Sequence, residues 1–288
     1  MKEIASGVYC ETSYCSGNVG FAVTEEGAVL VDSPMMPKDA WDWLRKITST
    51  TKKGITLLIN TDYKLERVLG GCFFPATTTI AHQNTWSELE RYDEQFLQRQ
   101  LTHYSDCDVQ ALAELPKTRI VHPELTLTAD MSVFKSGRAF RLLYAGGHTP
   151  ASIVVQMPRE KVLFAGDVVV NGEHPNLSQA NSMRWLHALE VIRRLKEVEL
   201  IVPGRGEPCH PLATEILSDY ISKMRERVYD CFANGCTRRE SVDRVRMQDF
   251  FPFPSSRREE VERRIRASVE RVYDEFKKEN EKKRHADG

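Results

Sequence analysis

Between residues 132 and 164 four strand-like runs follow one another, at 132–134, 139–144, 152–156 and 161–164, with only turns between them. A parallel neighbour needs a crossover of a dozen or more residues, and these gaps have no room for one, so the four runs are expected to pair antiparallel. Upstream, residues 20–32 (GFAVTEEGAVLVD) read as two short strands around a Glu-Glu-Gly turn. Residues 38–47 read as a helix with Trp41, Leu44 and Ile47 on one face, and residues 55–60 as a compact apolar strand that ends in Thr61-Asp62. Chemistry in proteins of mixed strands and helices gathers at such strand ends, which marks Asp62 and its neighbours. The segment 86–115 is polar and reads as a peripheral helix or a lid, with Trp86, Leu89, Phe96 and Leu97 as intermittent contacts.

Met183, Leu186, Leu189, Ile192 and Leu195 recur at helical spacing before a strand at 200–202. After Pro211 a long helix carries Ile216, Leu217, Tyr220, Ile221, Met224, Val228 and Phe232. A main domain over residues 1–232 and a helical C-terminal extension over 233–288 are therefore expected. In the extension Phe251-Pro252-Phe253-Pro254 breaks one helix, and another from about residue 257 repeats Val261, Ile265, Val269, Val272 and Phe276 among balanced charges. That stripe must pack on the parent domain or on a second subunit, the latter giving a homodimer. The Lys-rich tail after Glu279 is expected to be disordered.

The 288 residues are enough for one large domain. Forty Lys plus Arg against forty-one Asp plus Glu give a formal charge of -1, which argues against a nucleic-acid partner while leaving room for a local basic pocket. The seven cysteines form no CxxC pair and read as scattered structural thiols. The start lacks a basic segment followed by a long apolar run, and no stretch is apolar for membrane-spanning length, so a cytoplasmic protein without a membrane partner is expected.

Several blocks bear on chemistry: Gly7-Val8-Tyr9, Asn18-Val19-Gly20, TDYKLERVLGG at 61–71, GGHTPAS at 146–152, FAGD at 164–167, and Val202-Pro203-Gly204-Arg205-Gly206. In this order and spacing they resemble the metallo-beta-lactamase fold superfamily over roughly residues 4–230. The resemblance implies an α+β fold of the αββα sandwich type, with one or two zinc, iron or manganese ions at the sheet edge and a bridging water that attacks esters, lactams, thioesters or phosphodiesters. Carried over by motif, Asp62, Lys64, Glu66 and Arg67 stand at the positions of the family's His-x-His-x-Asp-His block. His148 and Asp167 match their family roles, and Arg205 falls where a final His would follow Pro-Gly.

Arg cannot offer a lone pair, so Arg67 and Arg205 are not metal ligands, and Lys64 could become one only by losing its proton. Asp62, His148 and Asp167 remain either as three ligands of a single zinc, iron or manganese ion, with a catalytic role, or as part of a centre that holds no metal. Asp62, Glu66 and Asp167 against Lys64, Arg67 and Arg205 sum to zero charge, so a metal-free pocket could be held by internal salt bridges. The arginine forks and Lys64 could also take a small anionic ligand, unless the carboxylates consume them. His174, in a loop after Asp167, is a further candidate for ligand contact. Thr149 and Ser152 read as turn formers, and His82 and His122 as ordinary surface or core residues.

Overall fold

The computed structural model describes residues 1–74, 78–101 and 118–286. Seven strands run side by side in chain order: β1 (Lys2–Ala5), β2 (Val8–Glu11), β3 (Val19–Thr24), β4 (Gly27–Val31), β5 (Ile55–Ile59), β6 (Thr78–His82) and β7 (Leu125–Leu127). The first four pair antiparallel, β1–β2 and β3–β4 through tight turns and β2–β3 through a longer loop, whereas β4 to β7 are parallel. A second sheet has the order β12-β11-β10-β9-β8, built from β8 (Met131–Lys135), β9 (Arg138–Tyr144), β10 (Ile153–Met157), β11 (Val162–Val170) and β12 (Leu200–Arg205). As the short gaps require, β8 to β11 are antiparallel; only β12, reached through a helix, runs parallel to its neighbour β11.

The two sheets face each other across one apolar layer, with Val29, Val31 and Ile59 from the first meeting Phe140, Ile153, Val155 and Phe164 from the second. Side chains of the opposite parity, such as Phe21, Leu30 and Leu58, pack outward under helix α1 (Pro37–Thr50). That helix buries Ala40, Trp43 and Ile47 and leaves Trp41 54% exposed, so the face expected from Trp41 and Leu44 is rotated. The reason is Trp43, whose ring meets Phe21 edge-on at 5.2 Å and fills more of the sheet surface than Leu44 could. Three short helices follow, α2 (Leu65–Val68), α3 (Gln83–Leu89) and α4 (Glu94–Leu101), and the remainder of the expected helix over 86–115 lies outside the described residues.

The outer face of the second sheet is covered by α5 (Ser182–Arg194) and α6 (Thr214–Ala233), completing the αββα layering. The extension continues this layer: α7 (Arg238–Arg244) starts in a capping box between Thr237 and Glu240, and α8 runs over Arg258–Ala286. Val261, Ile265, Val269, Val272 and Phe276 are buried in the same apolar cluster as Trp185, Tyr220 and Met224, so the boundary at 232 does not separate two cores. The stripe on which a homodimer was expected is thus spent inside the chain. The tail after Glu279, expected to be disordered, continues α8 up to Ala286, its last turn carrying Lys283, Arg284 and His285, whose charges suit a helix C-terminus. Among the described residues no helix is long and apolar enough to cross a membrane.

Truncating a fully packed side chain of α8 should therefore destabilise the whole molecule. Ile265→Ala is expected to cost about 3 kcal/mol in urea unfolding, whereas Ile216→Ala, at a position 53% exposed, should stay within about 0.5 kcal/mol.

Candidate functional site

The strand ends of both sheets meet at one edge, and two polar hubs are built there. At the end of β4, Asp32 takes a left-handed conformation, with φ of 59°. Its carboxylate accepts from the Thr61 backbone N–H and the Thr61 hydroxyl, both at 2.7 Å, which ties the end of β4 to the end of β5. Burial raises the Asp32 carboxyl to about 6, against the pull of Arg67 and the Thr61 hydrogen bonds.

The first hub is Asp62, which is buried. Its Oδ2 accepts from Ser152 Oγ at 2.7 Å, from Thr149 Oγ1 at 2.9 Å and from His148 Nδ1 at 3.1 Å, and its Oδ1 accepts from the Tyr63 backbone N–H at 2.7 Å. Burial alone would raise this carboxyl, but the hydrogen bond and electrostatic attraction of His148, the charge of Lys64 and the hydrogen bond from Ser152 bring it below the ordinary value. Because the carboxylate only accepts, the imidazole proton sits on Nδ1, and His148 Nε2 has no hydrogen-bond partner among the described residues. The His148 ring lies edge-on to Trp185 at 5.1 Å. Gly147, at φ 82°, makes this approach possible, since a Cβ there would stand 2.6 Å from the Trp185 Cα.

The second hub is Arg67 on α2, a guanidinium with no exposed surface. It grips Asp167 of β11 with two bonds, Nη2 to Oδ1 at 2.6 Å and Nε to Oδ2 at 3.2 Å. It also donates from Nη1 to the Asn18 carbonyl at 2.8 Å and from Nη2 to the Gly204 carbonyl at 2.9 Å. A Cβ on Gly204 would lie 2.3 Å from Asp167 Oδ1, so only glycine lets β12 close on this pair. Burial would raise Asp167 and lower Arg67; their mutual attraction wins, holding the carboxyl well below and the guanidinium above their usual values.

Around these hubs the remaining candidates divide. Glu66 and Arg205 pair at 3.5 Å, with Arg205 also donating to the Cys15 carbonyl at 3.3 Å. The Lys64 side chain makes no hydrogen bond or ion pair among the described residues and lines the cleft. His174 lines the inner cavity, as a candidate for ligand contact would, but its ring is buried among Tyr220, Phe251 and Phe253, with Nδ1 bonded to the Tyr220 hydroxyl and Nε2 to the Phe251 carbonyl. Arg67, expected as an anion contact, has each nitrogen of its fork bonded to protein oxygens. Thr149 and Ser152 shape their turn, as read, and also hold Asp62. Sequence reasoning gave no role to Asp32, although its place at a strand end was legible. It missed Arg264 of α8 altogether, a residue that reaches the cleft from the far end of the chain.

Two cavities open here. An inner one of about 40 Å³ is lined by Lys64, His148, Asp167, Arg205 and Arg264 among others, and an outer one of about 690 Å³ shares Lys64, Glu66, Asn176, Arg205 and Arg264 with it. Among the described residues no group of three His, Cys, Asp or Glu side chains is arranged to hold a metal ion. The donor chemistry gives the reason: Asp167 is chelated by Arg67, and Asp62 is filled by four protein donors, so two of the three expected ligands present no oxygen to an ion. The side chains at this edge do not fit one metal, and still less two.

A family model described as the metallo-beta-lactamase superfamily matches residues 76–205, on the same pair of facing sheets and beginning just past the altered 61–67 block. Over those residues the chain is similar to the metallo-beta-lactamase superfamily. It is 28% identical over 146 residues to a hydroxyacylglutathione hydrolase of Bartonella henselae, covering 46% of this chain and 58% of that enzyme, so it spans little more than half of that relative's length. To the metallo-beta-lactamase type 2 of Bacillus cereus it is 26% identical over 211 residues, 69% of this chain and 73% of that one. A metallo-beta-lactamase family protein from Thermus thermophilus superposes with a TM-score of 0.68 at 17% identity, over 96% of this chain and 95% of its own. Within this superfamily fold, the sheet edge of the present chain carries guanidinium groups bonded to carboxylates.

Removing the central cation should leave Asp167 buried without a partner. Arg67→Met is expected to lower stability by about 3–5 kcal/mol in urea unfolding, and an added Asp167→Asn change should recover part of that loss. The pH dependence has two components. Asp62 and Asp167 are held low, so the stability they confer is complete above about pH 4 and is lost as pH falls through their folded values. Asp32, at about 6 in the fold, acts oppositely: its contribution is present at low pH and is lost as pH rises from about 4 to about 6. An Asp32→Asn variant should lose this second component in unfolding midpoints measured from pH 3 to 8, while the acid-side loss persists.

Proposed function

We propose that this chain is a catalytically altered member of its superfamily, in which fixed cations replace the metal ions and the pocket binds a small anion instead of hydrolysing a substrate. The observation that carries this reading is the two-bond grip of Arg67 on Asp167 at the heart of the sheet edge, reinforced by the saturation of Asp62. A guanidinium delivers to that carboxylate the positive charge an ion would supply, without a coordination position for water. Lys64 is the cation left over, with no carboxylate bound to it, and Arg205 is held loosely by Glu66 at 3.5 Å. The partner expected is therefore a small anion, not nucleic acid, and no metal cofactor is required.

Its named relatives are hydrolases, which sets the test. Protein purified without chelator is expected to hold less than about a tenth of an equivalent of zinc, iron or manganese by plasma mass spectrometry. It should hydrolyse neither a hydroxyacylglutathione thioester nor a β-lactam, with or without added metal. A stoichiometric ion, or turnover restored by zinc, iron or manganese, would replace this reading with that of a mononuclear hydrolase using Asp62, His148 and Asp167.

A further inference from the structure

The inner cavity carries an imbalance that its own side chains do not resolve. Three cations line it, Lys64, Arg205 and Arg264, against two carboxylates, Glu66 and Asp167. Asp167 has both oxygens on Arg67, Glu260 pairs with Arg264 from outside the cavity, and Glu66 pairs with Arg205 at 3.5 Å, which leaves Lys64 without a paired carboxylate. Arg264 is anchored by Glu260 one turn earlier on α8 and donates from Nη1 to the His174 carbonyl at 2.9 Å, so its guanidinium is held at the cavity and not free to swing into solvent. Burial lowers its hold on the proton, with Arg205 and Arg257 acting in the same direction and Glu260 and Glu173 against it. The buried His148 ring lines the same space with its Nε2 unpartnered among the described residues.

We propose that Arg264 joins Lys64 and Arg205 in holding the phosphate head of a phosphate monoester in the inner cavity, with the organic body of that ligand in the outer one. The inference rests on the metal-free, anion-binding reading above and adds the ligand class and the contribution of the C-terminal extension. Three cations arriving from three separate elements, the loop before α2, the end of β12 and α8, match the three free oxygens of a tetrahedral ester head; a carboxylate offers two. A space of about 40 Å³ has room for about three water-sized atoms, the size of those oxygens. His148 Nε2, left open because Nδ1 is bonded to Asp62, faces the same space and can share the proton of a monohydrogen phosphate, which sulfate does not carry. The outer cavity is walled by Tyr92 and Phe96, stacked at 4.2 Å, and by Gln179, a surface for an organic group with some polar character.

Titration calorimetry on the full chain, with inorganic phosphate, phenyl phosphate and sulfate as probes, tests this. Saturable 1:1 binding of both phosphates is expected, phenyl phosphate the tighter and sulfate the weakest. Lys64→Gln and Arg264→Gln should each weaken phosphate binding about tenfold or more, the loss of one hydrogen bond between charged groups. The Lys64 side chain makes no hydrogen bond or ion pair among the described residues, so its variant is expected to fold as the parent does and tests the anion site; Arg264→Lys, which keeps the charge, should recover part of the affinity and tests Arg264 should Arg264→Gln prove unstable in thermal unfolding. No saturable phosphate binding, or equal binding by parent and variants, would overturn this inference and leave the metal-free reading intact. A bound transition metal or restored hydrolysis would instead overturn that earlier reading.

Discussion

The buried pair of Arg67 and Asp167 holds the sheet edge together. Four segments converge on that one guanidinium: the Asn18 carbonyl before β3, α2 itself, Asp167 on β11 and the Gly204 carbonyl on β12. A charge with no solvent contact is tolerable only when its hydrogen-bonding directions are filled, and here they are filled by the two sheets the charge must join. Gly204 has no side chain because β12 has to approach within contact of both partners. Such a pair gives little net stability compared with an apolar replacement of both members, yet removing either one alone is severe. It therefore fixes the relative placement of the sheets at this edge more than it adds to the depth of the energy minimum.

The same pair decides what the cleft can do. With Asp167 and Asp62 both turned to protein donors, the carboxylates of this edge serve as internal acceptors, and the chemistry open to the site passes to the residues outside the two hubs. Those are cationic: Lys64 without a partner, Arg205 weakly paired, and Arg264 arriving on α8. The helical extension thus does two things with two faces. Its apolar stripe completes the core beneath α5 and α6, and its charged flank walls the cleft.

Much of this was legible in the chain. The short gaps between residues 132 and 164 dictated antiparallel pairing, and the spaced blocks from Gly7 to Gly206 pointed to the superfamily. The residues at Asp62, Lys64, Glu66, Arg67 and Arg205 allowed a centre held by salt bridges, beside the alternative of a single metal ion. Local pattern failed where two faces of one helix compete, as in α1, because Trp41 and Trp43 are equally apolar and only the surface of Phe21 chooses between them. It failed again at the C-terminal tail, where a composition typical of disorder is carried as helix by the packing of the preceding turns.

Residue types alone determined that Arg67 and Arg205 are not metal ligands, since a guanidinium has no lone pair to give at any accessible pH. Which carboxylate each cation would meet was not written in the sequence. His148 could pair with Asp167 or Asp62, and takes Asp62; Arg67 is wholly spent, whereas Lys64 is left over. Arg264, nearly two hundred residues further along the chain than Arg67, enters the cleft without any motif to announce it. Pairings of this kind depend on distance and desolvation in the assembled fold, quantities that sequence separation does not carry, so the tertiary structure alone decided them.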